Sequence, residues 1–414
     1  MRRPIVPLLL LALTTSCSRR ESEAPQPVAQ LAPPAASVAA AAIRHVAMPS
    51  AAASVAPRLS RAGDGSVMAS WLEPAEEGGH ALRFSTWSNG TFGSPSTVIA
   101  SSSLIANWAD RPGVMKLPDG RLLAWWDWSA NGAEEGYSIR VALSSDAGVT
   151  WSAPLTPHRD RGPGEHGFVA AWPTGDDVTI AWLDGRDLAK EGGEGHLMIT
   201  TIAAGVMSPE RVLDPRACEC CPTSVVRAGD VTLLAYRDRS PEEERDIAVI
   251  RQLKDGTLTP SALVHRDQWP LRGCPVNGPS IDARGAAAVV AWFTEASLTP
   301  RVLAAFSTDA GATWGEPIAV DAEMPAGHAD VVMLDDGSAA VLWAQHAQEG
   351  EAVVLRRVMP DGRVGKPLTL DENAQGLPQI ERVPEGLLVV YATRASTPPG
   401  LGAQVVPLDA LPAP

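Results

Sequence analysis

The sequence predicts an all-β protein: a single ring of repeated four-stranded antiparallel units. Three observations carry that prediction. Seven short apolar runs end in a large aromatic, at Trp71, Trp126, Trp182, Tyr236, Trp292, Trp343 and Tyr391. Successive aromatics stand 55, 56, 54, 56, 51 and 48 residues apart, the signature of a repeat architecture. Each run follows a turn signal, such as Pro118-Asp119-Gly120 or Asp335-Asp336-Gly337, and no stretch carries helical periodicity.

Within each unit the elements fall in a fixed order. A short apolar strand precedes the turn, as at 113–117 and 331–334. The aromatic-ended run follows it. A polar loop then leads to a third strand, as at 139–143 and 302–306, and most units add an edge-like fourth segment, as at 153–156 and 317–320. Four short strands per repeat of about 50 residues describe a β-propeller blade, so the spacing implies seven blades. The chain has 13 Trp against 5 Phe and 3 Tyr, which fits Trp at a recurring core position. The seventh unit, about 376–408, lacks a fourth strand. Residues 42–48 would supply it and close the ring without an open edge.

The chain has 414 residues and is 45% hydrophobic, enough for one large repeat domain. Its net charge of −14 argues against nucleic acid or an anionic membrane surface as partner. At the N-terminus Arg2 and Arg3 precede an apolar run at 5–13 that is too short to span a bilayer. Thr14-Thr15-Ser16 then lead to Cys17. This resembles a bacterial lipoprotein signal at 1–17 with Cys17 lipidated. An Ala/Pro/Ser-rich tether at 18–42 and a propeller at 43–414 follow. The expected protein is exported, monomeric and membrane-anchored, periplasmic or on the cell surface, and touches the membrane only through its lipid.

Two stretches share one pattern, S-x-D-x-G-x-T-W. One runs from Ser144 through Asp146 and Gly148 to Trp151, the other from Ser307 through Asp309 and Gly311 to Trp314. An Asp accepts bonds from its own turn, and a Gly tolerates positive φ. The pattern resembles the Asp-box, or BNR repeat, of sialidase-like β-propellers. Relatives of that kind usually have six blades, which makes six the alternative count. Both boxes lie between third and fourth strands, on the face away from the lead-in loops, and read as structural staples.

The lead-in loops share the other face, around the central mouth. Arg111, His166 and His328 lie 15, 16 and 15 residues before their units' aromatics and should take similar places there. Cys218, Cys220, Cys221 and Cys274 come from two neighbouring lead-in loops at that mouth. In an oxidising compartment a disulfide is the plain reading, with Cys274 bridging to any one of the other three. The sharper readings are a redox-active thiol pair, or a copper or zinc site joined by His166 or His328. Cys-x-Cys-Cys is not a standard zinc spacing. The loops after the aromatics add Tyr236, Arg237, Asp238 and Arg239. These read either as surface ion pairs or as a pocket for a sugar or small anion, to which Arg offers a planar fork.

The sialidase resemblance implies three arginines on a sialic acid carboxylate, a Tyr–Glu nucleophile and an Asp acid/base. Only Arg111, in Arg111-Pro112, matches that family's Arg-Ile-Pro segment, and here the Ile is missing. Tyr137, Tyr236 and Tyr391 are the only tyrosines, and two of them occupy the core aromatic position. Cys218–Cys221 and the Gly273–Pro279 segment also resemble a group of exported sialidase-like proteins of unclear activity. The expected function is therefore glycan-directed: an exo-α-sialidase-type hydrolase or a degenerate glycan binder. A metal- or redox-linked propeller is the second expectation, and a protein-interaction scaffold the third.

Overall fold

The computed structural model describes residues 42–129, 136–162, 164–395 and 397–414. The signal, Cys17 and the tether as far as residue 41 lie outside them. The described chain is all-β apart from one short 3-10 turn, Leu408–Ala410. No helix among the described residues is long and apolar enough to cross a membrane.

The strands form antiparallel sheets, built mostly from neighbours in the chain. The first unit pairs Val55–Arg61, Val67–Pro74, His80–Ser88 and Ser96–Ser101 in order. The fourth pairs Ser224–Ala228, Val231–Arg237, Ile247–Gln252 and Ala262–Leu263. The second holds three strands plus a bridge from Val141 to Leu155. The sixth and seventh units share one long strand, Leu368–Val383. Its first half is the outer strand of one unit, and its second half the inner strand of the next. Arg44–His45 pairs with Gly400–Val406, so the segment expected to complete the seventh unit does so.

Burial explains why the units stand side by side. The core is divided into clusters, each filled from two successive units. Trp126 and Leu82 share one, Trp182 and Leu123 the next, and Trp343 packs with Trp269 and Val302 further round. The last cluster joins Leu388, Val390 and Val405 to Leu59 and Trp71, so the ring closes on itself and the fold is a β-propeller. All seven recurrent aromatics are at most 2% exposed. Several pin their polar edge two residues on: Trp71 Nε1 donates to Glu73 at 3.0 Å, Trp182 to Asp184 at 2.8 Å and Trp343 to Gln345 at 3.0 Å. That arrangement satisfies the buried N–H.

The two S-x-D-x-G-x-T-W turns share one bonding pattern. Ser144 Oγ donates to Asp146 at 2.8 Å and accepts Gly148 N–H at 2.8 Å, while Thr150 N–H reaches Asp146 at 2.9 Å. The corresponding distances from Ser307, Asp309, Gly311 and Thr313 are 2.8, 2.9 and 2.9 Å. Trp151 then meets Phe84 edge to face at 6.0 Å, and Trp314 packs on the core between units four and five.

Candidate functional site

The inner strands enclose a central cavity of about 730 Å³. Arg58, Arg61, Arg111, Asp282, Asp330, Glu381 and Arg382 bring charge to its wall, and His328 lies among them. Two layers of this wall behave differently. In one, the charges are paired: Arg61 reaches Glu381 at 3.1 Å and Asp282 at 3.4 Å, and Arg382 reaches Asp282 at 3.1 Å. Burial nevertheless pushes the Glu381 carboxyl up to about 8, against the pull of Arg61.

In the other layer, Arg58 and Arg111 lie together. Arg111 donates only to backbone, to Pro57 O at 3.4 Å and Leu377 O at 3.2 Å, and its Nε has no partner although the residue is 9% exposed. Arg58 donates to Arg111 O at 3.5 Å and stacks on Trp125 at 4.9 Å. Neither guanidinium forms an ion pair with a carboxylate among the described residues. Asp330 and Asp110 are near enough to attract both, but each is held by other donors. Asp330 takes Ser280 Oγ at 2.5 Å and Ile380 N–H at 2.9 Å; Asp110 takes Phe168 N–H at 2.8 Å. Burial lowers Arg58 to about 10. Burial and then the charge of Arg58 lower Arg111 to about 9. Two like charges forced together out of water favour an anion between them.

The loop that carries Arg111 reaches across to distant units. Trp108, 51% exposed, meets His328 of the sixth unit edge to face at 5.6 Å, and Arg111 touches the seventh. Behind Arg111 lies a buried acidic group. Asp110 packs so closely on Gly167 that any Cβ there would overlap its Oδ2. Burial raises Asp110 to about 6, and burial together with the Asp110 charge pushes Asp127 well above the carboxylate range. Tyr137 donates to Asp110 at 3.4 Å, and burial raises its phenol further still.

Of the expected mouth residues, Arg111 and His328 both line the cavity, and His166 does not. His166 turns into the third unit, stacked on His158 at 3.8 Å and facing Asp160 and Asp184 at 3.4 and 3.5 Å. The fourth-unit residues Tyr236, Arg237, Asp238 and Arg239 do not line the cavity. Tyr236 is fully buried and bonds Asp214 and Ser261. Arg237 donates to three carbonyls, Asn277, Arg245 and Phe293, at 2.8, 2.6 and 2.7 Å. Asp238 is raised to about 6 by burial and the neighbouring Asp214. Arg239 is held by Glu243 at 3.0 and 2.8 Å and by Glu194 at 3.0 Å. Of the two readings of this loop, these contacts agree with ion pairing at Arg239, while Arg237 is spent on backbone carbonyls.

Among the cysteines, Cys220 and Cys274 form the disulfide, while Cys218 and Cys221 are buried thiols. The grouped sulfurs are those of Cys218, Cys220 and Cys221, and no histidine joins them among the described residues. No imidazole stands with these sulfurs: His166 stacks on His158, and His328 lies against Trp108. Arg58, Trp108 and Asp110 are not among the candidates the sequence offers. Their signal is position: Arg58 leads into the first unit, and Trp108 and Asp110 share the lead-in loop of Arg111.

The antiparallel ring around a charged channel places the chain among β-propellers. No protein-family model matches the chain, and neither does any curated protein. The fold is shared with an ulvan lyase of polysaccharide lyase family PL25. Its complex with -[GlcA(1-4)Rha3S]- is 11% identical over 88% of this chain and 96% of that one, with a TM-score of 0.57. A second structure of that enzyme gives 0.54 at 11% identity, over 88% and 93%. An α-L-arabinanase of Penicillium chrysogenum, 12% identical over 86% and 94%, stands at 0.49.

Proposed function

We propose that the protein is a glycan-directed propeller of seven blades that takes the acidic group of a saccharide between Arg58 and Arg111. One observation carries this reading: two desolvated guanidinium groups stand side by side in a cavity wall, and no carboxylate among the described residues is paired to either. A carboxylate matches the planar fork of Arg. Trp108, exposed at the loop edge, offers an apolar face for a sugar ring. The ulvan lyase of the same fold binds a glucuronate-containing glycan, a ligand of the same charge. The test is calorimetric titration with glucuronate- and sialate-terminated oligosaccharides, with a neutral oligosaccharide as control. Binding of the acidic ligands alone, weakened roughly 30-fold in Arg111→Ala, is expected. Equal binding of the neutral one would remove the proposal.

Hydrolysis is the second reading, favoured by the Asp110–Asp127 pair. A carboxyl held near pH 6 beside an anion site has the protonation a general acid needs. Turnover of fluorogenic sialosides and glucuronides by wild type, abolished in Asp110→Asn, would support it over plain binding. Export as a lipoprotein with Cys17 acylated completes the reading, and the mass of the mature N-terminal peptide tests it.

A further inference from the structure

The four cysteines of the mouth carry chemistry that the saccharide reading does not use. Cys218 and Cys221 are fully buried, with their sulfurs 3.4 Å apart. Two residues, Glu219 and Cys220, lie between them, so a C-x-x-C spacing lies inside the Cys-x-Cys-Cys run. Cys218 Sγ also stands 4.0 Å from Cys220 Sγ, one end of the Cys220–Cys274 disulfide. Arg245 Nη1 donates to Cys218 Sγ at 3.0 Å; its other donors reach Leu271 O and Glu243. The hydrogen bond from Cys221, then the charges of Arg245 and Arg237, lower the Cys218 thiol to about 7 against burial and the opposing charge of Glu219. Cys221 is raised well above the usual thiol range by burial and by Cys218. One sulfur is therefore poised as thiolate, and its neighbour keeps the proton. A metal cation would meet the positive charge of Arg245 and Arg237 there and would find Cys220 already bonded.

We propose that this cluster is an internal thiol–disulfide exchange centre, which moves the disulfide from Cys220–Cys274 to Cys218–Cys221 and so unties the fourth lead-in loop from the fifth. In the first step the Cys218 thiolate attacks Cys220 Sγ. The Cys218–Cys220 bond forms, the Cys220–Cys274 bond breaks, and Cys274 leaves as thiolate. It takes the proton released when Cys221 ionises. In the second step the Cys221 thiolate attacks Cys218 Sγ and expels the Cys220 thiolate. One disulfide, one thiol and one thiolate stand on each side of the exchange, so no outside oxidant or reductant enters. Cys274 is the exposed member, so its release presents a reactive thiol at the surface. The untied loops also border the cavity: Pro222 and Gly278 both line it, and any Cβ at Gly278 would run into Pro222 O.

The test is alkylation of the native full-length protein with N-ethylmaleimide, followed by peptide mapping that reads each cysteine separately. In wild type, Cys274 becomes labelled with time and a Cys218–Cys221 disulfide accumulates. The labelling rate rises about tenfold per pH unit below about 7 and levels off above it, as the Cys218 thiolate fraction saturates. In Cys218→Ser, Cys274 stays unlabelled. Should that variant misfold, Cys221→Ser serves instead: it keeps the first step, so Cys274 is still labelled while Cys218–Cys220 is trapped. Absence of Cys274 labelling in wild type would overturn the exchange, as would equal labelling in Cys218→Ser. One equivalent of tightly bound zinc or copper in the purified protein would also overturn it.

Discussion

Two sectors of the same ring carry comparable charge and do opposite things with it. In the third and fourth units Arg186, Arg237, Arg239 and Arg245 all have partners. Arg186 grips Asp184 at 2.7 and 2.6 Å and Glu210 at 2.7 Å; Arg237 clamps three carbonyls across two units. In the first and second units Arg58 and Arg111 are packed together, and no carboxylate among the described residues is matched to them. The difference teaches that clustered charge does not mark a site. A binding site is marked by donors that folding has dried and left without their anion.

The largest expected effect tests the paired sector. Arg237→Ala strands three buried carbonyls, each worth about 1–3 kcal/mol when left unsatisfied. The midpoint of urea unfolding should collapse, or the protein should fail to accumulate. Any folded fraction should bind the acidic saccharide as wild type does. Loss of affinity without loss of stability would place Arg237 in the site and erase the contrast between the sectors.

Arg111→Ala tests the unpaired sector. Its charge-assisted bonds to a carboxylate are worth about 2 kcal/mol, roughly a 30-fold rise in Kd. Stability should change little, because relief of the repulsion from Arg58 offsets two long bonds to backbone carbonyls. Arg111→Lys keeps the charge without the fork and should recover only part of the affinity. A melting temperature that falls as far as in Arg237→Ala would show that Arg111 is another structural clamp.

A smaller effect separates the two layers of the cavity by pH. The Glu381 carboxyl is raised to about 8, above its unfolded value. The folded state therefore holds a proton that the unfolded chain has lost, and stability falls as pH climbs from the ordinary carboxylate range towards 8. Glu381→Gln should remove that decline, so wild type and variant diverge most at pH 8 and above in urea titrations. A parallel pH dependence in both would mean that Arg61 keeps Glu381 charged throughout.

Most of the frame was legible in sequence because its causes are local or periodic. The aromatic ladder repeats with the unit, and each S-x-D-x-G-x-T-W turn carries its own bonds within a few residues. The closing strand followed from an unfinished last unit. The site was less legible because its decisive contacts are remote. Arg237 looked available, but its acceptors at Asn277 and Phe293 lie 40 and 56 residues away. His166 matched His328 in spacing, yet the partners that turn it aside include His158 and Asp160, ahead of its own strand. Arg58 gains meaning only from Arg111, 53 residues on, and spacing says nothing of whether two guanidinium groups share one anion. The Cys218–Cys221 pair was legible but hidden, since the intervening cysteine disguises its spacing.

The smallest effect concerns the turns opposite the lead-in loops. Asp146 and Asp309 are each lowered to about 2, Asp146 chiefly by the Thr150 hydroxyl and Asp309 chiefly by the Thr313 N–H. A carboxylate depressed on folding stabilises the folded chain above its unfolded pKa and stops doing so as pH falls through about 2. Asp146→Asn and Asp309→Asn should each lower the melting temperature modestly at neutral pH, and the deficit should shrink in acid. Because the boxes lie in different units with no shared partner, the double variant should show the sum of the two. Ligand affinity should stay at the wild-type value throughout, since neither box borders the cavity. A change in affinity from either substitution would mean that these turns shape the distant mouth as well as pinning their own hairpins.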